Sequence, residues 1–207
     1  MTVKITQDLI EDIREEIRTH TEDSGKFLPL VVFGLVSDGF TIGEISEIKI
    51  GDIDTIVRVV RTGDGTPCLI SNGTNNDIIR YIENMTETMI LRELLKNSDG
   101  LRLSEIGRPL GFDNPGAWSG LKYNYLKKLL EDKVIKKIKS KGVIRYVTDE
   151  DRANKFMNSL YLTRFRSDKS STKESLRGHF KTALEISDMD RSLTPRYFKK
   201  NCIPSII

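Results

Sequence analysis

Cysteine and histidine are scarce in this chain of 207 residues, two of each. Cys68 and Cys202 stand alone, without metal-ligand spacing, which excludes a dense disulfide framework and suits a cytoplasmic chain with free thiols. His20 and His179 have no Cys, Asp or Glu arranged around them as metal ligands. No apolar run approaches the roughly 20 residues that span a bilayer; the best candidate, Phe27 to Val36, is short and holds a proline. The first residues lack the basic-then-apolar layout of a signal peptide. Gly39 and Gly63-Asp64-Gly65 read as turn glycines, with no phosphate-loop spacing around them. Glu15-Glu16 and the Asp188/Asp190 pair read as solvated charges. These absences leave no enzyme, cofactor, metal or membrane partner to expect.

What is present is an uneven distribution of charge. The formal net charge of +3 divides into three parts. Residues 1–84 carry 8 Lys+Arg against 15 Asp+Glu, residues 85–150 carry 13 against 9, and residues 151–207 carry 12 against 6. An acidic part repels phosphate and a basic part attracts it, so the segments have different electrostatic tasks. With 38% apolar and 30% charged residues the chain has enough apolar surface for a core.

Apolar spacing predicts a helix over Thr6 to His20, with Leu9, Ile10, Ile13 and Ile17 on one face and Thr6 as its cap. After a break at Glu22 to Lys26, a buried helix over Phe27 to Val36 ends at Ser37-Asp38-Gly39. A weak repeat follows. Leu35 to Ile45 and Leu95 to Ile106 each carry Ser-Asp-Gly after an apolar helix and Glu-Ile in the next. The first copy continues into an expected third helix, Gly51 to Thr62, and a short wing strand within Gly63 to Ser71. Asn72 to Asn76 reads as a polar link and Asp77 to Asn84 as a helix. Helices are also expected over Glu150 to Phe165 and Glu174 to Ile186. Between them Arg166 to Lys173 reads as a linker, and Thr194 to Ile207 as a basic tail.

The second copy is the informative one. An apolar helix (Met89, Ile90, Leu91, Leu94, Leu95) precedes the turn Asn97 to Gly100. A short helix, Ser104 to Leu110, a turn, Gly111 to Pro115, and a long helix, Gly116 to Asp132, follow. Trp118, Leu121, Tyr125 and Leu129 align on one side of the long helix, widened by Leu126 and Leu130. The other side holds Gly116, Ser119, Gly120, Tyr123, Asn124 and Lys127, with Lys128 at its edge. It has small residues, hydrogen-bonding groups and a cation, and no acid. Asparagine can bond adenine bidentately and lysine can reach guanine or phosphate. Two β-rich runs, Val134 to Lys139 and Val143 to Val147, then flank Ser140-Lys141-Gly142, a hairpin tip. Lys133, Lys136, Lys137, Lys139, Lys141 and Arg145 lie in this hairpin segment with no acid between them. A lysine or two can protect a strand edge; six suit phosphate.

This order resembles the winged helix-turn-helix superfamily, over about 60 residues. The resemblance is carried by Ser104-Glu105-Ile106-Gly107, Leu121 to Asp132, and the wing Val134-Ile135-Lys136-Lys137 with Val143-Ile144-Arg145-Tyr146-Val147. It implies binding to double-stranded DNA, usually as a homodimer. A second, faint resemblance is to tyrosine recombinases, in Phe40 to Asp54 and in Glu174 to Phe180 with Tyr197 downstream. There Thr41 stands where the first box needs an arginine, and Glu174 where the second needs histidine.

The expected fold is thus mainly α with small β-hairpin wings: a winged helix-turn-helix, with a second, degenerate one in tandem as a further expectation. The expected segments are an acidic domain at 1–84 for dimerisation or a protein partner, a basic winged helix at 85–150, and a C-terminal helix, linker and tail at 151–207. The expected function is a cytoplasmic DNA-binding regulator acting by site occupancy. Gly116, Ser119, Gly120, Tyr123, Asn124 and Lys127 would face bases and backbone, and Lys136, Lys137, Lys139, Lys141 and Arg145 would face phosphate. The alternatives are a tandem winged-helix interaction protein, a replication or partition factor, and last a degenerate recombinase.

Overall fold

The computed structural model describes residues 5–24, 27–165, 169–190 and 192–201, and the backbone alone at 21–24, 164–165, 169–170 and 199–201. The chain is mainly helical, with small antiparallel sheets of two or three strands. No helix among the described residues is long and apolar enough to cross a membrane. Two compact units result: Met1–Ile82 with Leu160–Ile207, and Glu83–Ser159. The expected C-terminal segment at 151–207 is therefore divided, and its larger part belongs with the N-terminal residues.

The first unit is built around α2 (Leu28–Ser37), whose residues from Pro29 to Ser37 are all buried. A helix apolar on every side needs cover on every side. α1 (Gln7–Ser24) supplies Ile10, Ile13 and Ile17, and α10 (Lys173–Ile186) supplies Leu176, Phe180, Ala183 and Leu184. α11 (Pro195–Asn201) adds Phe198, whose ring meets Phe33 and Phe180 edge-on at 5.6 and 5.3 Å, while Phe33 and Phe180 stack at 6.1 Å. The first helix runs on to Ser24, into the break expected over Glu22 to Lys26, with the Thr6 hydroxyl accepting from the Leu9 N–H. The expected tail is helical at 195–201, and its end, with Cys202, lies outside the described residues.

α2 ends in a Schellman turn. Gly39 takes φ +96°, Phe40 N–H returns to Leu35 and Gly39 N–H to Val36. α3 (Ile42–Glu47) opens with a reciprocal cap: the Thr41 hydroxyl accepts from Glu44 N–H and the Glu44 carboxylate from Thr41 N–H. Thr41, the residue in the recombinase-like box, is thus a helix cap. Glu174 of the other box lies 3.6 Å from Arg177 on its own helix.

Beyond α3 the expected third helix is absent. A 3-10 turn, Ile50–Asp52, leads into β1 (Ile53–Asp54), β2 (Val59–Arg61) and β3 (Pro67–Leu69), an antiparallel sheet in that order. The Asp54 carboxylate accepts the N–H groups of Ile56 and Val57, which folds the chain into a turn where a helix would continue. The row Ile53–Val60–Cys68 faces the core. Among the described residues, this small sheet stands where the tandem reading expects the third helix and wing strand. α4 (Asn72–Glu83) starts where a polar link is expected, because the Ser71 hydroxyl accepts from Thr74 N–H as a cap.

α4 also carries the buried polar centre of this unit. Arg14 and Asp77, each 1% exposed, are paired. Arg14 further donates to the Thr74 and Ser71 hydroxyls at 2.9 and 3.4 Å. Nearby, Asp38 accepts from Ser71 N–H at 3.0 Å. Burial holds its carboxyl above the usual value of 3.8, against the lowering effects of the Thr74 and Ser71 hydrogen bonds and of Arg14. The chain re-enters this unit where Leu160 to Leu162 pair with Ile48 to Ile50, and β6 (Arg164–Phe165) and β7 (Lys169–Ser170) form a short ladder. The helix expected over 150–165 therefore stops early. Residues 166–168 of the expected linker lie outside the described residues.

The second unit contains α5 (Thr86–Leu95), α6 (Leu103–Gly107) with a 3-10 turn at Arg108–Leu110, and α7 (Pro115–Leu121), which runs through a π turn at Lys122–Leu126 into α8 (Lys127–Glu131). β4 (Lys136–Ser140), β5 (Val143–Val147) and α9 (Glu150–Ser159) complete it. Met85, Ile90, Leu91, Leu94, Ile106, Leu121, Leu126, Leu129, Val134, Ile135, Tyr146, Ala153 and Phe156 are its buried apolar residues.

Candidate nucleic-acid interface

The long helix begins at a well-made cap. Gly111 takes φ +77° after the 3-10 turn, Asn114 accepts from Ala117 N–H at 2.9 Å, and Pro115 takes the first helical position. The helix is not a uniform α-helix. Leu121 and Leu126, five residues apart, are both 0% exposed. The π turn brings them to one side by adding a residue to one turn, and such turns recur at functional sites. The buried stripe is consequently Leu121, Leu126 and Leu129, while Trp118 and Tyr125 of the expected stripe are only half-buried. Trp118 instead donates its indole N–H to the Phe112 carbonyl.

The residues bulged outward are Lys122, Tyr123 and Asn124, all exposed, with the Lys122 ammonium 5.3 Å from the centre of the Tyr123 ring. Gly116, Ser119 and Lys127 are exposed as well, and Gly120 is half-buried. The solvent face inferred from periodicity is therefore open along the helix. Lys122 joins it through the π turn, for which the sequence carries no signal. Lys127 lies 3.8 Å from Glu131, an exposed pair that leaves it accessible.

β4 and β5 pair in register from Lys136↔Val147 to Ser140↔Val143, which leaves Lys141 and Gly142 as a two-residue turn. Both have positive φ, +50° and +79°, as a type I′ turn requires. Every residue of β4 is exposed. Lys137 and Lys139 share one face, Lys136 the other, and Lys141 stands at the tip. None of these four lysines is paired with a carboxylate among the described residues. Ile138 and Ile144 are also exposed, at 37% and 55%.

Arg145 belongs to a different arrangement. Its side chain is only 25% exposed, lies 3.6 Å from Glu105 and donates to the Gly100 carbonyl at 2.7 Å. It ties β5 to the turn before α6 instead of standing free for phosphate. The same turn meets β5 through its backbone, with Leu101 and Tyr146 exchanging N–H···O bonds of 3.0 and 2.8 Å. Gly100 takes φ +75° there, and a Cβ on it would lie 2.6 Å from Val147 and 2.7 Å from the Tyr146 carbonyl, so only glycine fits. Burial raises the Tyr146 phenol above its usual value.

Among the described residues no group of three His, Cys, Asp or Glu side chains is placed to hold a metal ion. Comparison with protein-family models, with curated proteins and with solved structures returns no match.

Proposed function

We propose that residues 83–159 act as a winged helix-turn-helix that binds double-stranded DNA, and that the protein regulates transcription by occupying its site as a homodimer. The observation that carries this reading is the hairpin of Lys136, Lys137, Lys139 and Lys141, exposed, without carboxylate partners among the described residues, and closed by a two-residue turn. Clustered exposed lysines gain by releasing counterions from phosphate. The order of elements supports it too: α5, the strand-like Leu101 beside β5, α6, the long helix, then the hairpin. In this arrangement the long helix enters the major groove and the hairpin reaches the flanking backbone. Asn124 and Lys127 would read base edges. Gly116, Ser119 and Gly120 would admit the backbone, and Lys122 would add a phosphate contact beside Tyr123.

A second reading, a protein-interaction module, is favoured by the exposed Ile138 and Ile144. Binding of the full chain to random duplex DNA across a salt series separates the two, with Lys139→Ala/Lys141→Ala alongside. DNA binding should fall steeply with salt, and the variant should weaken it evenly across sequences and flatten the slope by about one per lost phosphate contact. No binding at low salt would leave the interaction module.

A further inference from the structure

Ile56, Val57 and Leu69 stand in solvent at 92%, 56% and 66% exposure. Single exposed apolar side chains are ordinary, but three on one three-stranded sheet and its turn are not. Ile56 and Val57 form the turn between β1 and β2, and Leu69 lies on β3. The register puts Asp54, Val59 and Leu69 in one row and Arg61 and Pro67 in the next. Since Ile53, Val60 and Cys68 face the core, those five residues form the outward face of the sheet.

The turn is held in place. The Asp54 carboxylate accepts from Ile56 and Val57 N–H at 3.0 and 3.2 Å, Asn75 donates to the Thr55 carbonyl at 3.1 Å, and Ile70 N–H donates to the Arg58 carbonyl at 2.9 Å. A preordered apolar knob loses little entropy on docking. We infer that this turn and the outward sheet face form the contact between two copies of this chain.

The charges select that partner. Asp54 and Arg61, both exposed, place opposite signs on one face. A two-fold axis between them sets each Asp54 against the Arg61 of the other copy, so the face complements itself. Extension of the sheet through β3 is opposed by Pro67, which has no N–H to donate, and stacking of face on face needs none. DNA is disfavoured here by the acidic balance of residues 1–84. Three apolar side chains are the centre of an interface, not the roughly 800 Å² per partner of a stable one, so the association is weak, on the order of micromolar or weaker.

This deepens the homodimer of the proposed function, yet it is tested without DNA. Sedimentation equilibrium of the full chain should show a concentration-dependent dimer. Ile56→Asp, at a side chain that packs on nothing, should raise its Kd at least about tenfold with an unchanged circular-dichroism spectrum. Arg61→Glu should weaken it in a way that added salt relieves. A monomer at every concentration, or a dimer indifferent to Ile56→Asp, would overturn the inference and leave the DNA-binding reading standing.

Discussion

The guanidinium of Arg145 donates to the carbonyl of Gly100, 2.7 Å away, and so fastens the second strand of the basic hairpin to the turn before α6. Its neighbour Glu105 also accepts from Arg102 N–H at 2.7 Å, so one carboxylate serves both the helix start and the hairpin. Arg145→Ala should lower the unfolding free energy by about 1–2 kcal/mol, the scale of a charge-assisted bond to backbone that is partly exposed. Denaturant titration checks this. An unchanged midpoint with a flattened DNA salt slope would return Arg145 to the phosphate contacts.

Asn124→Ala tests the helix face. The side chain is exposed, so stability should stay within about 0.5 kcal/mol. On DNA the variant should relax selectivity at one base position by about 1–3 kcal/mol, measured by selection of binding sites with parent and variant. Equal loss on every sequence would remove base reading from Asn124.

The Arg14–Asp77 pair is a structural commitment of the first unit. Both side chains are 1% exposed. Arg14→Met should cost about 3–5 kcal/mol, because Asp77 would remain buried without its main partner. Arg14→Met with Asp77→Leu should cost clearly less than the sum of the single changes, since the two buried charges leave together and Arg18, 3.5 Å from Asp77, keeps Glu15. A full double-mutant cycle by chemical denaturation reads the coupling.

Asp38 sets a pH dependence with a definite sign. Its folded carboxyl titrates above 3.8, chiefly through burial, so the folded state holds a proton that the unfolded state has already released. The corresponding stability is complete below 3.8 and is lost as pH rises through the raised value. Asp38→Asn removes that loss. Its stability relative to the parent should therefore increase as pH rises from below 3.8 through the mildly acidic range and then level off. A difference that stays flat with pH would assign the titration elsewhere.

Local patterns in the sequence determined where most helices and the basic hairpin lie, since period, caps and turn glycines act within a few residues. Gly39 stops α2, Asn114 and Pro115 start α7, and Lys141-Gly142 closes β4 onto β5 for such local reasons. The exposed face at Gly116, Ser119, Tyr123, Asn124 and Lys127 follows from the same periodicity. The repeat of Ser-Asp-Gly and Glu-Ile is also local: each glycine takes positive φ and each glutamate accepts at its helix start, while the chains beyond diverge. Tertiary structure alone decided the rest. The wholly apolar α2 announces burial but not its partners, and Phe180 and Phe198 arrive from the far end of the chain to cover it. The π turn exists because Leu121 and Leu126 must both reach one core, a demand that a helical wheel with a constant period does not contain. Arg145 looks like one more cation in a basic run, and only the folded turn at Gly100 gives its charge a partner.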